Sequence, residues 1–333
     1  MRLFLRKIVI YVGFIALFAS CSHKQPKIGF LFPNFIQKRY LKEREYFTKR
    51  VAELGGTTII LSADNNDNNQ IQQAKDIVEQ GIDVLVVDAV NANTAAAIVR
   101  IAHARDIPVI AYDRLIRNCD LDYFLSFDNE KVGQLMADYA LNAVPSGKYI
   151  LLGGDKSDQN AIWVKNGQLK ELEPSIKSNK IQIVYNTFIE NWSGDNAQFE
   201  IRKYLDLSMD KPDVILSSYD GMTTSVIELL KEYKLNAKIV ITGQDAEIEA
   251  CRNIINGNQA MTVYKSLKAL ANKAAELSVD IAERKQMNTE TVKINNGQTD
   301  VVSVILPPVL VDKSNIKSVI IGDGLYSESE LNE

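Results

Sequence analysis

The sequence predicts an α/β protein of two doubly wound, Rossmann-like parallel-sheet lobes joined by a hinge. Short apolar runs recur along the chain, and most are continuous rather than alternating, the mark of strands covered on both faces. Helical segments separate them at regular spacing, which supplies the crossovers that parallel strands need. The rhythm runs from 28 to 112, restarts at 149 and continues to 245, and ten strands fit two sheets of about five better than one sheet. A length of 333 residues suits two domains, since one domain takes ~150 residues on average.

The strands expected in order are Ile28–Phe32, Thr57–Leu61, Asp83–Val87, Pro108–Tyr112, Tyr123–Phe127, Tyr149–Leu152, Ile181–Tyr185, Asp213–Ser217, Lys238–Thr242 and Met261–Tyr264. Glycines close two of the intervening helices, in "AELGG" (52–56) and "VEQGI" (78–82), as left-handed C-terminal caps require. The segment 130–143 places Val132, Leu135, Met136 and Tyr139 at helical spacing, a core stripe, and a long helical segment covers 266–284. The run "SADNNDNNQIQQ" (62–73) fails as a calcium loop. Counted from Asp64, Gly and Glu are required where Asn69 and Lys75 stand, so a loop and helix start is the reading.

Residues 1–20 are expected to be a secretory signal. Arg2, Arg6 and Lys7 precede thirteen uncharged residues, too few to span a bilayer, and "ASC" ends in Cys21. This resembles a bacterial lipobox, with cleavage before Cys21 and lipidation of its thiol; residues 21–26 then form a tail. Loss of the signal leaves 35 basic against 42 acidic side chains, a net charge of −7. An acidic surface with no basic run argues against nucleic acid. Cys119 and Cys251 are far apart and are expected as free, buried thiols on different lobes.

In doubly wound sheets, ligands bind beyond the carboxyl ends of the strands. Here those ends carry Arg39 and Tyr40 after the first strand, Asn91 after the third, and Asp113 and Arg114 after the fourth. In the second half they carry Asn160, Trp192, Tyr219, Asp220 and Asp245, with Lys265 at the crossing back. Carboxylates and amides grip hydroxyls, Arg and Lys donate, and aromatic faces cover C–H surfaces. A neutral polyol needs that combination. A handful of charge-assisted hydrogen bonds, less ordering costs, reaches about −8 kcal/mol, or micromolar affinity. Plainer roles stay open: a surface ion pair for Asp113 and Arg114, lobe packing for Trp192, helix capping for Asn160 and Asp245, a solvated hinge for Lys265, core for Tyr219.

The blocks "AYDRLI", "FDNEKVGQLMA", "GGDKSDQNA", "TGQDAE", "MTVYK", "NNGQTDV" and "SESEL" resemble the periplasmic D-xylose-binding protein family, class I sugar-binding proteins of ABC importers, from about residue 27 onward. The resemblance implies a class I periplasmic-binding-protein fold with three crossings between lobes. Residues 27–128 plus 265–305 would form the first lobe, and 129–264 plus 306–333 the second. It also implies a monosaccharide held by Arg39, Tyr40, Asp113, Arg114, Asn160, Trp192, Tyr219, Asp220, Asp245 and Lys265. Two positions depart from the family pattern: Tyr40 stands where it has Trp, and Tyr219 where it has Asn. A different pentose or related polyol, or xylose in a changed pose, is expected from those changes.

No cofactor or metal is expected, and no enzyme. Phosphate-cradling glycine motifs and C-x-x-C are absent, and of the two histidines, His23 sits in the tail and His103 on a helix away from the strand ends. Asp113, Asp220 and Asp245 could form an acid–base pair for glycoside cleavage, but Arg114 and Lys265 would hold them ionised. A DNA-binding regulator would need a helix-turn-helix where the signal stands. The expected partner is an ABC permease or, alternatively, a membrane sensor kinase, met by a monomer held at the membrane by its lipid.

Overall fold

The computed structural model describes residues 25–208, 210–235 and 238–332. Cys21 and the signal segment lie outside the described residues. The chain opens with β1 (Lys27–Phe32), α1 (Lys38–Glu53), β2 (Thr57–Ser62), α2 (Asp67–Val78), β3 (Val84–Val87), α3 (Ala96–His103), β4 (Val109–Tyr112) and β5 (Tyr123–Phe127). The second stretch is α4 (Asn129–Ala143), β6 (Gly147–Gly153), α5 (Gln159–Lys177), β7 (Ile181–Phe188), α6 (Gly194–Leu207), β8 (Val214–Ser217), α7 (Asp220–Glu232), β9 (Val240–Ile241), α8 (Ile248–Asn256) and β10 (Met261–Tyr264). Then come α9 (Leu267–Ala282), β11 (Val292–Asn295), β12 (Asp300–Leu306), β13 (Val309–Asp312) and α10 (Glu328–Asn332).

Local chemistry explains many of the element ends. Asn66, Asp128, Asp158, Ser193 and Ser266 cap α2, α4, α5, α6 and α9, each side chain accepting from a backbone N–H in the first turn. Gly55 (φ 83°) and Gly81 (φ 71°) follow α1 and α2 in the left-handed conformation that a side chain would strain. The "SADNNDNNQIQQ" run is a loop and the start of α2, as expected.

The sheets differ from the expected two of five strands. The first has seven strands in the order β11-β12-β5-β4-β3-β1-β2, and the second has four in the order β7-β6-β8-β9. A separate pair, β10 and β13, is antiparallel and touches the second sheet through the parallel bridge Gln244–Val263. The difference lies in β11 to β13, which lie beyond the helix-punctuated repeat. The hairpin turn between β11 and β12 carries Asn296-Gly297, with Gly297 at φ 99°, a legible signal for antiparallel pairing. Apart from that hairpin, every pairing in the two large sheets is parallel.

Both sheets are covered on each face. Phe30, Phe32, Phe47 and Tyr112 meet Leu270 and Ala274 on one side of the first sheet, and Leu31, Leu85 and Ile98 pack on the other. In the second lobe α4 and α5 approach so closely that a Cβ on Gly133 would sit 1.9 Å from the Val164 carbonyl, and one on Gly167 would sit 2.0 Å from the Glu130 carbonyl. Backbone cannot yield there, so glycine is required at both. Cys119 and Cys251 are free and buried.

The strand orders define two switch points. In the first sheet β1 lies between β2 and β3, and in the second β6 lies between β7 and β8. Helical connections leave in opposite directions there, which opens a crevice at the carboxyl ends. The chain passes between the sheets after β5, after β10 and between β12 and β13.

Candidate functional site between the two lobes

The first lobe contributes a charged cluster. Arg39, in the first turn of α1, donates to Glu43 Oε1 at 3.0 Å and reaches Asp113 Oδ2 at 3.5 Å. Glu43 also accepts from the Tyr112 hydroxyl at 3.0 Å. Asp113 and Arg114, which follow β4, each pair with other residues, Asp113 with Arg39 and Arg114 with Asp158. Asp113 is 7% exposed, and its backbone N–H donates to Leu125 on the neighbouring strand. Burial pushes the Asp113 carboxyl up, but Arg39, Lys265 and Arg114 together outweigh it and hold it below the usual carboxylate range. Arg114 turns to Asp158 Oδ2 at 3.5 Å and to the Ala89 carbonyl at 3.3 Å.

The second lobe contributes rings and one ion pair. Trp192 packs edge-on to Tyr219, centroids 6.2 Å apart. Its indole lies against Gly154, where a Cβ would fall 2.0 Å from the ring. Tyr219 donates its hydroxyl to Glu247 Oε1 at 2.5 Å. Asp245 Oδ1 pairs with Lys265 Nζ at 2.9 Å, which takes it out of the capping role; Glu247 precedes the first turn of α8 instead. Burial works against the Lys265 charge, yet Asp245 and Asp113 raise its pKa above the ordinary lysine value.

These groups share one neighbourhood. Arg39 responds to the charge of Asp245, Lys265 to Asp113, and Tyr219 to Asp245. Asn160 Nδ2 crosses from α5 to the Asp113 carbonyl at 3.2 Å, and Arg114 crosses to Asp158. Strained backbone recurs here as well: Asp113 (φ 61°), Trp192 (φ 54°) and Asp245 (φ 89°) are all left-handed. Such conformations cost about 1–3 kcal/mol and gather at functional sites.

Asp220 and Asn91 behave differently from expectation. Asp220 is fully buried: Oδ1 accepts from Gln259 at 2.8 Å, and Oδ2 from Thr262 at 2.8 Å and from the Glu247 N–H at 3.1 Å. Its carboxylate is consumed beneath the site and leaves the expected contact set. Asn160 does not cap its helix, because Asp158 does; its amide bridges Asn129 Nδ2 and the Asp113 carbonyl. Asn91 is exposed and accepts from the Asn93 and Thr94 N–H groups, closing the turn before α3. Tyr40 is 3% exposed, with its ring against Phe32 and beneath the Arg39 guanidinium. Burial raises the Tyr40 hydroxyl pKa, and Asp88 and Arg114 are its strongest charged neighbours.

Sequence reading missed Glu43, Asp88, Asp158 and Glu247. Glu43 stands four residues after Arg39 on one helix, a legible pairing distance. Asp88 directly follows β3, where attention to Asn91 passed over it. His103, which looked unsuited to catalysis, meets Asp122 at 2.8 Å at the end of α3. Among the described residues no cluster of His, Cys, Asp or Glu is arranged to hold a metal.

Two doubly wound lobes whose charged strand-end residues meet, Asn160 with the Asp113 carbonyl and Arg114 with Asp158, have the build of a bilobal solute-binding protein. Residues 28–286 match the family model described as periplasmic binding protein domain. The D-xylose-binding periplasmic protein of Escherichia coli (strain K12) is 37% identical over 308 residues, covering 92% of this chain and 93% of that one. A multiple sugar-binding periplasmic receptor from Rhizobium radiobacter is 30% identical, covering 95% and 96%. A carbohydrate transporter solute binding protein from Chloroflexus aurantiacus, solved with D-glucose, superimposes with TM-score 0.84 at 27% identity, covering 92% of this chain and 98% of that one. The chain belongs to the periplasmic binding protein domain family, with the class I fold, and is a binding protein rather than an enzyme.

Proposed function

We propose that the protein is an extracytoplasmic, lipid-anchored receptor that closes on one monosaccharide, a pentose such as D-xylose or a related sugar, and delivers it to an ABC permease. The observation that carries this reading is the convergence of Arg39, Asp113, Arg114, Asp245 and Lys265 with the Trp192 and Tyr219 rings at the facing ends of two sheets. The sugar-binding names of the relatives support it.

In this reading the open form admits sugar to the first lobe, and the second lobe folds over it. Asp113 accepts hydroxyls, Arg39, Arg114 and Lys265 donate, and Trp192 covers a C–H face. Ligand favours the closed state only through its higher affinity for it. Tyr219, tied to Glu247, is a bulky wall in place of an amide, so the choice of sugar is set largely there. Calorimetric titration with D-xylose, D-glucose and myo-inositol tests the assignment: micromolar binding of one of them is expected, and silence from pentoses, hexoses and cyclitols alike contradicts it. Mass spectrometry of the mature protein tests the anchor, since an unmodified N-terminus other than Cys21 removes it. A sensor kinase instead of a permease would change the partner and leave the site chemistry as it is.

A further inference from the structure

We propose that Asp88 is a sugar-contacting residue of the first lobe, its carboxyl reserved for ligand hydroxyls; the proposal rests on the carbohydrate reading above. Asp88 directly follows β3 at the β1–β3 switch point, the crevice where doubly wound sheets bind ligands. It is fully buried, and neither carboxylate oxygen has a hydrogen-bond partner. Among the described residues it is the only carboxylate with both oxygens in that condition. A buried, unpartnered carboxylate is costly, and native proteins rarely keep one without a use.

The surroundings narrow that use. The charged groups that act on Asp88 are Arg114, Asp113, Arg39 and Glu43, and Asp88 in turn acts on the Tyr40 hydroxyl. All belong to the proposed site. Its cations already have partners: Arg39 has Glu43 and Asp113, Arg114 has Asp158, and Lys265 has Asp245. Asp88 is the acid left over. Burial pushes its pKa well above the usual carboxylate range, against the pull of Arg114. As the acid it donates one hydrogen bond and accepts another; ionised, it only accepts. A hydroxyl serves both states, because it donates and accepts. A pair of neighbouring sugar hydroxyls matches the two oxygens of one carboxyl group, and parting of the lobes opens the β3 end to them.

The test compares purified wild type with Asp88→Asn, Asp88→Ala and, as the site control, Asp113→Asn. Affinity for D-xylose and D-glucose is read by calorimetry, and ligand-free Tm by thermal melting. The expected result is a split. Both Asp88 variants melt at or above the wild-type temperature, because a costly group is gone, yet they bind the wild type's sugar at least about tenfold more weakly. Unchanged affinity in both, with binding lost in Asp113→Asn, overturns the role of Asp88 alone and leaves the site intact. A fall in Tm in both makes Asp88 a structural residue and equally overturns the proposal. If neither sugar binds the wild type, the carbohydrate reading fails and the proposal falls with it.

Discussion

Two aspartates sit beyond the corresponding third strands of the two lobes, Asp88 after β3 and Asp220 shortly after β8, and both are fully buried. Asp220 has three donors: the Gln259 amide, the Thr262 hydroxyl and the Glu247 N–H. Asp88 has none on its carboxylate. The contrast separates two uses of the same burial. At Asp220 the fold has supplied every partner, so the carboxyl group fastens α7 to the β10 strand and the turn before α8, although burial raises its pKa as it does that of Asp88. At Asp88 the partners are missing, which is how a group kept for a visitor looks. The rims differ as well: Arg39 pairs with Glu43 and Asp113 in the first lobe, while the second brings the Trp192 and Tyr219 rings beside the single pair of Asp245 with Lys265.

The largest effect is expected where the satisfied aspartate is removed. Asp220→Ala leaves an amide, a hydroxyl and a backbone N–H without their acceptor, and folding stability should drop by about 2–4 kcal/mol in urea denaturation. A loss under about 1 kcal/mol would erase the contrast with Asp88. Next comes the charged rim. Asp113→Asn keeps a residue that tolerates the left-handed backbone but removes the charge that Arg39 and Lys265 face. Sugar affinity should fall by about 1.5–3 kcal/mol, roughly tenfold to more than a hundredfold, with the far-UV spectrum unchanged. Unaltered calorimetric affinity would remove Asp113 from the site.

On the aromatic side, Tyr219→Asn restores the amide of the related family and frees Glu247. It should shift the ranking of sugars toward D-xylose by a few-fold, and an unaltered ranking would mean that this position does not select. The smallest effect is in pH dependence. Burial raises the Asp88 pKa, so between the unfolded and folded values the folded chain binds more protons than the unfolded one. That contribution favours folding below the unfolded pKa and fades as pH rises through the folded one. Asp88→Asn removes it, and the Tm of the variant relative to wild type should therefore climb from pH 4 upward. A difference independent of pH would place the Asp88 pKa near its unfolded value.

Much of the architecture was legible because parallel strands buried on both faces announce themselves as continuous apolar runs, as "VLVV" of β3 and "VIAY" of β4 do. Strands β11 to β13 were less so. Strand β11, Val-Lys-Ile-Asn, alternates apolar with polar residues and three of the four are exposed, so there is no continuous apolar run. Strand-end logic pointed to Arg39, Asp113, Asp245 and Lys265, and the structure pairs Arg39 with Asp113 and Asp245 with Lys265. It could not separate Asp220 from them, since its donors come from Gln259 and Thr262, some forty residues away. Nor could it see the left-handed backbone at Asp113, Trp192 and Asp245: aspartate tolerates that conformation more readily than most residues but does not require it, and tryptophan gives no such signal.

The most direct test is a thermal-shift panel of pentoses, hexoses and cyclitols on the protein purified without its first 21 residues and on its Asp113→Asn variant, side by side. A ligand that binds only the folded state raises Tm by mass action. At least one sugar should raise the wild-type Tm at millimolar concentration and fail to move the variant to the same extent. A panel that leaves the wild type unmoved, or shifts both proteins equally, would contradict a sugar site built on Asp113 between the lobes.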